Sequence, residues 1–411
     1  MSEKNCPPCR ANSVGGQAVI EGVMMKNVTK VALAVRKEDG SIEIRNSEFH
    51  PKKEKHKWLN IPILRGVVGF VESMILSFKT LGDSTDMLGI DELEEQEKKE
   101  KEAKKAQKKL EKEAKKQGIS VEELEKKQES ENAESNKAEI EANEAKSDKK
   151  KDKDSSASTG FIMVISLILG LALAIGLFMF LPTYATDLIN IPINNFHIKN
   201  GYEAGPLVDK IVDSTTGEVS FELKHILQAV IEGVIRILIF IIYIASVSLM
   251  NDIKRTFSYH GAEHKSIACY ESGMELTPEN ARKCSRFHPR CGTSFLFVML
   301  LISIIVGIFI PEFHGMPWLR SLVKVAMLPI IMGVGYEFIM LAGKHNNWFT
   351  RALSAPGLWM QRLTTKEPDD YQLAVAICAI KSTMPEEFPD FDPSEYAITR
   401  EENKGHIMLE N

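Results

Sequence analysis

The sequence predicts a predominantly α, polytopic membrane protein with about four transmembrane helices, a small N-terminal β unit and a cytoplasmic helical tail. Three observations carry that fold class. Residues 161–181, 226–250, 294–310 and 319–343 are apolar over the length a helix needs to cross a bilayer core. Their cationic flanks alternate along the chain. Lys149, Lys150, Lys151 and Lys153 precede the first run, and Lys254 and Arg255 follow the second. Arg282, Lys283, Arg286 and Arg290 precede the third, and Lys344 and Arg351 follow the fourth, whereas 182–225 and 311–318 are poor in Lys and Arg. The positive-inside rule then puts both termini and the 251–293 connection on the cytoplasmic side of the membrane. The third observation is strand-like alternation confined to the first fifty residues.

Residues 1–60 form a cytoplasmic segment. Its start is polar and lacks the apolar core of a signal peptide. Residues 31–36 and 42–45 alternate around Glu38-Asp39-Gly40-Ser41, a hairpin signal. Gly15-Gly16 ahead of residues 17–25 implies a sharp turn or a close backbone approach. Residues 61–82 are apolar, but Arg65, Glu72 and Lys79 recur every seven residues near one helical face. With Lys52, Lys53, Lys55 and Lys57 before it, this stretch reads as an interfacial or re-entrant helix, the alternative being a fifth span.

Residues 83–159 are a charged insertion dominated by Lys and Glu, with too few apolar residues to bury a core. It is expected to be disordered and available to protein partners. The net charge of −5 averages this insertion with the apolar runs. No basic face interleaved with aromatics stands out, so no nucleic acid is expected as a partner. Residues 160–345 hold the spans, and 346–411 the tail. There Ala355-Pro356-Gly357 predicts a break, and Glu367-Pro368-Asp369-Asp370 starts a helix over 371–382.

Ionisable residues inside apolar runs need partners. Glu232 and Arg236 are four apart and can pair on one face, Lys324 can snorkel outward, and Glu337 can approach the 251–293 connection. Gln17-Ala18-Val19-Ile20-Glu21-Gly22-Val23 recurs identically as Gln228-Ala229-Val230-Ile231-Glu232-Gly233-Val234, which invites a repeat reading against differing flanks.

The chemistry concentrates in Tyr259-His260-Gly261-Ala262-Glu263-His264-Lys265 and Phe287-His288-Pro289-Arg290-Cys291-Gly292-Thr293. The first contains H-x-x-E-H, a spacing used by one class of zinc hydrolases. On one helical turn His260 and His264 share a face and can hold a divalent metal ion such as zinc, with Glu263 beside them as general base. His288 or Cys291 supplies a third ligand, with Glu271 a further candidate. The same residues also suit a hydrogen-bonded polar cluster, and Gly261 weakens a fully helical reading. Cys6, Cys9, Cys284 and Cys291 could instead close a structural zinc site or remain free thiols, while Cys269 and Cys378 fit packing roles.

Residues 15–25, 259–265, 288–293 and 355–368, in this order, resemble the bacterial YqhQ-like family, over most of 13–90 and 160–384. The resemblance implies a predicted metal-dependent membrane protein of unknown function, with His260, Glu263, His264, His288 and Cys291 as the matching polar positions. The Lys/Glu insertion and the Cys6/Cys9 pair depart from the common pattern. The resulting expectation is a metal-dependent, hydrolytic enzyme at the cytoplasmic membrane face, acting on a peptide or lipid-linked substrate among membrane lipids. Arg290 and Glu21 are expected to orient substrate or ligands. The alternatives are a non-enzymatic assembly or regulatory factor built on the same cluster, and a transporter using Glu232, Arg236 and Glu337.

Overall fold

The computed structural model describes residues 14–89, 165–166, 168–200, 208–212, 219–288, 291–311, 313, 316–344 and 348–398. Cys6, Cys9, Arg290 and the insertion from residue 90 to 159 lie outside the described residues. The chain divides into two compact units, Gly89–Leu173 and the remainder. The remainder carries the site.

It begins with an antiparallel meander of β1 (Val14–Val19), β2 (Gly22–Asn27), β3 (Lys30–Arg36) and β4 (Ile42–Glu48), in the order β1-β2-β3-β4. The predicted hairpin is β3–β4, with Arg36 opposite Ile42. Gly40 takes φ 87 in its turn, where Asp39 accepts from the Ser41 N–H at 2.9 Å. Val31 to Val35 are buried in succession, so β3 is covered on both faces rather than wet on one. One cover is α9 (Asp370–Thr383), which packs on β2, β3 and β4 and is buried from Gln372 to Ile380. Its start carries a full capping box between Asp369 and Gln372, as the sequence signal implied. Helices α1 (Leu64–Leu88) and α4 (Asn251–Glu271) also pack against the sheet.

Among the described residues, four helices are long and apolar enough to cross a membrane, which marks the chain as a membrane protein: Ile168–Asn200, His225–Val247, Gly292–Phe309 and Trp318–Phe338. They contain α2 (Leu181–Asn200), α3 (His225–Val247), α6 (Gly292–Phe309) and the core of α7 (Pro317–Lys344). Leu169, Leu188, Ile242 and Phe309 face outward, as lipid-contacting side chains would. The first helix runs nearly twenty residues past the predicted end at 181, through Pro192, with a π-helical stretch at Gly176–Phe180. Strands β5 (Val208–Val212) and β6 (Val219–Leu223) then form a hairpin before α3.

The spans are pinned by charge. Glu232 on α3 accepts from Arg236 at 2.9 Å, from Thr183 of α2 at 3.0 Å, and from Lys324 of α7. Arg236 also donates to Ser303 of α6 at 2.9 Å and to the Phe178 carbonyl in the π segment at 2.8 Å. Lys324 therefore does not snorkel: it is buried on Glu232. Glu337 pairs with Arg65 of α1, Nε to Oε1 at 2.6 Å. Gly66 sits against Tyr336, where a Cβ would lie 2.6 Å from the tyrosine Cβ.

The repeated heptapeptide is not a structural repeat. Its first copy is the β1–β2 hairpin and its second is helical, inside α3. Identical residues take strand or helix according to what covers them.

Candidate metal centre

Helix α4 carries the H-x-x-E-H stretch and is continuous through Gly261. The glycine serves close approach: the Lys366 carbonyl occupies the space a Cβ would need, and the Lys366 N–H donates to Phe257 O at 2.8 Å. The segment crossing α4 there joins α8 (Trp348–Thr364) to α9. Helix α8 passes through Pro356, so the predicted break is absent. Gly357 allows α8 to meet Ser294 of α6, a Cβ at residue 357 lying 2.6 Å from Ser294 Cα.

His260 and His264 present ring centroids 4.4 Å apart. His260 Nδ1 lies 2.8 Å from the Thr364 carbonyl, and His264 Nδ1 lies 2.6 Å from the Arg286 carbonyl. A carbonyl only accepts, so each Nδ1 carries the hydrogen in the neutral ring and each Nε2 keeps its lone pair. His260 Nε2 is 3.2 Å from Cys291 Sγ, and the ligand atoms of His260, His264 and Cys291 all lie within 4.8 Å of one another. Cys291 is the N-cap of α6, and its sulfur accepts from the Thr293 hydroxyl at 3.3 Å. Two imidazole nitrogens and a thiol sulfur are a donor set suited to zinc.

His288 stands at the edge. Its ring is 5.6 Å from that of His264, and its Nε2 is 3.7 Å from Glu271 Oε2. Its backbone is held by buried Gln361, which accepts from the His288 N–H at 2.8 Å and donates to the His288 carbonyl at 2.7 Å and to Ser294 Oγ at 3.1 Å. Of the two expected third ligands, the structure brings Cys291 to both imidazoles.

Glu263 is buried beside His260 and accepts from the Gly16 N–H. Burial pushes its carboxyl up to about 7, against the opposing pull of His260 and that hydrogen bond. A Cβ at residue 16 would lie 2.9 Å from Glu263 Cγ, so the Gly15-Gly16 signal is the close approach of β1 to this carboxylate. The hairpin is anchored nearby by Glu21. In the β1–β2 turn at φ 50, its carboxylate takes Arg255 through both oxygens, NH2 to Oε2 at 2.6 Å, and the Tyr259 hydroxyl at 3.2 Å. Burial raises the Glu21 carboxyl, and the Arg255 hydrogen bond pulls it back. Outside the site, Glu367 bridges Lys265 and Arg286, and Lys265 donates to the Arg282 carbonyl at 2.9 Å. These bonds clamp onto α4 the loop whose Arg286 carbonyl orients His264.

The sequence missed Gln361 and Thr364, which act on the site from α8 only through tertiary packing. The two described members of the four-cysteine alternative have different partners: the Cys284 thiol, at the C-cap of α5 (Pro278–Lys283), donates to the Asn280 carbonyl at 3.6 Å, whereas Cys291 faces His260.

A profile described as protein of unknown function, DUF1385, matches residues 61–386. The uncharacterized protein YqhQ of Bacillus subtilis (strain 168) is 30% identical over 382 residues, covering 92% of each chain. No solved structure matches. The continuous match from α1 to the end of α9, with this relative along nearly its whole length, places the chain in the DUF1385 family.

Proposed function

We propose that this protein is a metal-dependent, hydrolytic enzyme of the bacterial cytoplasmic membrane, with its site at the cytoplasmic face and both termini on that side. The observation that carries the reading is the convergence of His260, His264 and Cys291, with both imidazoles oriented by backbone carbonyls. A polar cluster needs no such arrangement, in which each ring spends its Nδ1 hydrogen outward and turns its Nε2 inward. His260, His264 and Cys291 would hold the ion, with His288 at the rim. A bound zinc would supply Lewis acidity and lower the pKa of water. Glu263, with its carboxyl near neutrality, is suited to taking and returning a proton.

Cys291 immediately precedes an 18-residue span, about 27 Å of helix, so the site falls at the boundary of the hydrocarbon core. That position favours a substrate presented from the membrane, a lipid-linked ester or a membrane-anchored peptide, with membrane lipid as neighbour. The charged insertion remains the proposed contact for protein partners.

The test uses purified full-length protein, metal analysis and a panel of peptide and lipid-linked ester substrates. Glu263→Gln should retain the metal and lose hydrolysis. One observation favours the second reading, an assembly or regulatory factor with a structural metal: Glu263 is engaged by the Gly16 N–H. On that reading Glu263→Gln leaves cellular function intact, whereas Gly16→Leu, which pushes β1 off α4, abolishes it.

A further inference from the structure

We infer that α2 pairs in parallel with α2 of a second copy of this chain, through a heptad seam that continues beyond the other spans. The inference is independent of the metal reading. The helix ending in α2 has 33 residues, about 50 Å, whereas a hydrocarbon core is about 30 Å thick. Two hydrogen bonds mark where the neighbouring spans stop. Asn190 of α2 accepts from the Leu223 N–H at 3.2 Å, two residues before α3 begins, and His225 at the start of α3 lies 2.6 Å from the Ile310 carbonyl at the end of α6. Residues 191–200 therefore carry α2 about 15 Å past the level at which α3 begins and α6 ends.

Along α2, Leu181, Tyr184, Leu188, Ile191, Asn195 and Ile198 follow at alternating steps of three and four, the a and d positions of a heptad. All six are exposed, Leu188 by 67% and Ile191 and Ile198 by 55% each. The opposite face of α2 is taken up within the chain. Pro182, Thr183, Thr186 and Asn190 are buried, Thr183 donates to Glu232 at 3.0 Å, and β6 packs along the helix. Pro192 falls at an e position, beside the seam rather than in it.

The length of α2 and the identity of residue 195 point to the occupant. Lipid tails suit Leu181, Tyr184 and Leu188, which lie at the level of the other spans. Ile191 and Ile198 lie past that level, where headgroups and water offer an apolar side chain no cover. Copies inserted in the same direction present α2 in parallel, and a parallel heptad pair sets each a position against itself. Asn195 then meets Asn195 of the second copy, amide to amide. A single asparagine at an a position fixes register and the number of strands, and being uncharged it faces its own copy without repulsion. Cys291 and Ile310 cap opposite ends of α6, so the pairing lies at the end of the bundle away from the candidate metal centre and leaves it open.

The experiment uses the full-length chain with Cys6→Ser and Cys9→Ser in membrane vesicles, given one further cysteine and treated with a short bismaleimide. The same chain without the added cysteine sets the background, and melting curves check that each variant is folded. Ile191→Cys and Ile198→Cys should yield a product of twice the chain mass. Asn200→Cys, exposed two residues on but at an f position, and Ile242→Cys, exposed on α3, should not. Adding Asn195→Asp to Ile198→Cys sets two carboxylates against each other and should abolish the product; coexpression with a chain carrying Asn195→Lys and Ile198→Cys should restore it. No product at 191 and 198, equal product at 200, or linkage unaffected by Asn195→Asp would overturn the inference. A product of any other mass would overturn it too, by giving the seam to a different protein.

Discussion

Replacing Gly261 with alanine should destabilise this protein, although the same change in an ordinary helix interior stabilises by about 1 kcal/mol. The Cβ would run into the Lys366 carbonyl and lie 3.3 Å from Pro368 Cδ. Relief requires the crossing segment to lift. That breaks the Lys366 N–H bond to Phe257, worth about 1 kcal/mol net, and disturbs the Glu367 bridge to Lys265 and Arg286. Overpacking costs about 1–3 kcal/mol in addition. Set against the propensity gain, the net loss is about 1–3 kcal/mol. Gly82, inside α1, is the control, because nothing lies within 4 Å of a Cβ there. Thermal unfolding of the full chain in detergent, followed by tryptophan fluorescence, should give a lower midpoint for Gly261→Ala and an unchanged or higher one for Gly82→Ala. A Gly261→Ala midpoint at or above that of the parent would refute the close-approach reasoning.

Two further substitutions probe the bundle and the site's support. Glu232→Gln removes the carboxylate charge between Arg236 and Lys324 and should cost about 3–5 kcal/mol, far more than Glu337→Gln at the half-exposed Arg65 pair; equal shifts in melting midpoint would contradict the charge pin. Gln361→Leu strips three hydrogen bonds from the stretch between His288 and Ser294 and should weaken zinc affinity by about 10–100-fold in chelator competition, with helical circular dichroism retained. Unchanged affinity would mean that α8 does not position Cys291.

The spans were legible because apolar runs and cationic flanks are local signals, and the four observed helices fall on the four predicted runs. Their lengths were less so. The helix through residue 200 continues past 181 because Thr183, Thr186 and Asn190 are buried by neighbours, information that a hydropathy run does not contain. The heptapeptide makes the same point: Glu21 and Glu232 have identical sequence neighbours, yet Glu21 caps a strand turn on Arg255 and Glu232 sits in a helix on Arg236. At the site, His260 and His264 were legible through their spacing, and Gly15-Gly16 correctly implied close approach. Gly261 was misleading, because helix propensity disfavours glycine but cannot register a carbonyl packed on the missing side chain. Thr364 acts through its backbone, so its residue type held no clue.

The central claim is that His260, His264 and Cys291 hold a divalent ion. Metal analysis of the purified full-length protein, beside His260→Ala/His264→Ala and Cys269→Ser, tests it most directly. The account predicts about one transition-metal ion per chain in the parent and in Cys269→Ser, lost from the double histidine variant with its helical content preserved. A parent protein that takes up no zinc, or a double variant that keeps the same amount, would contradict it.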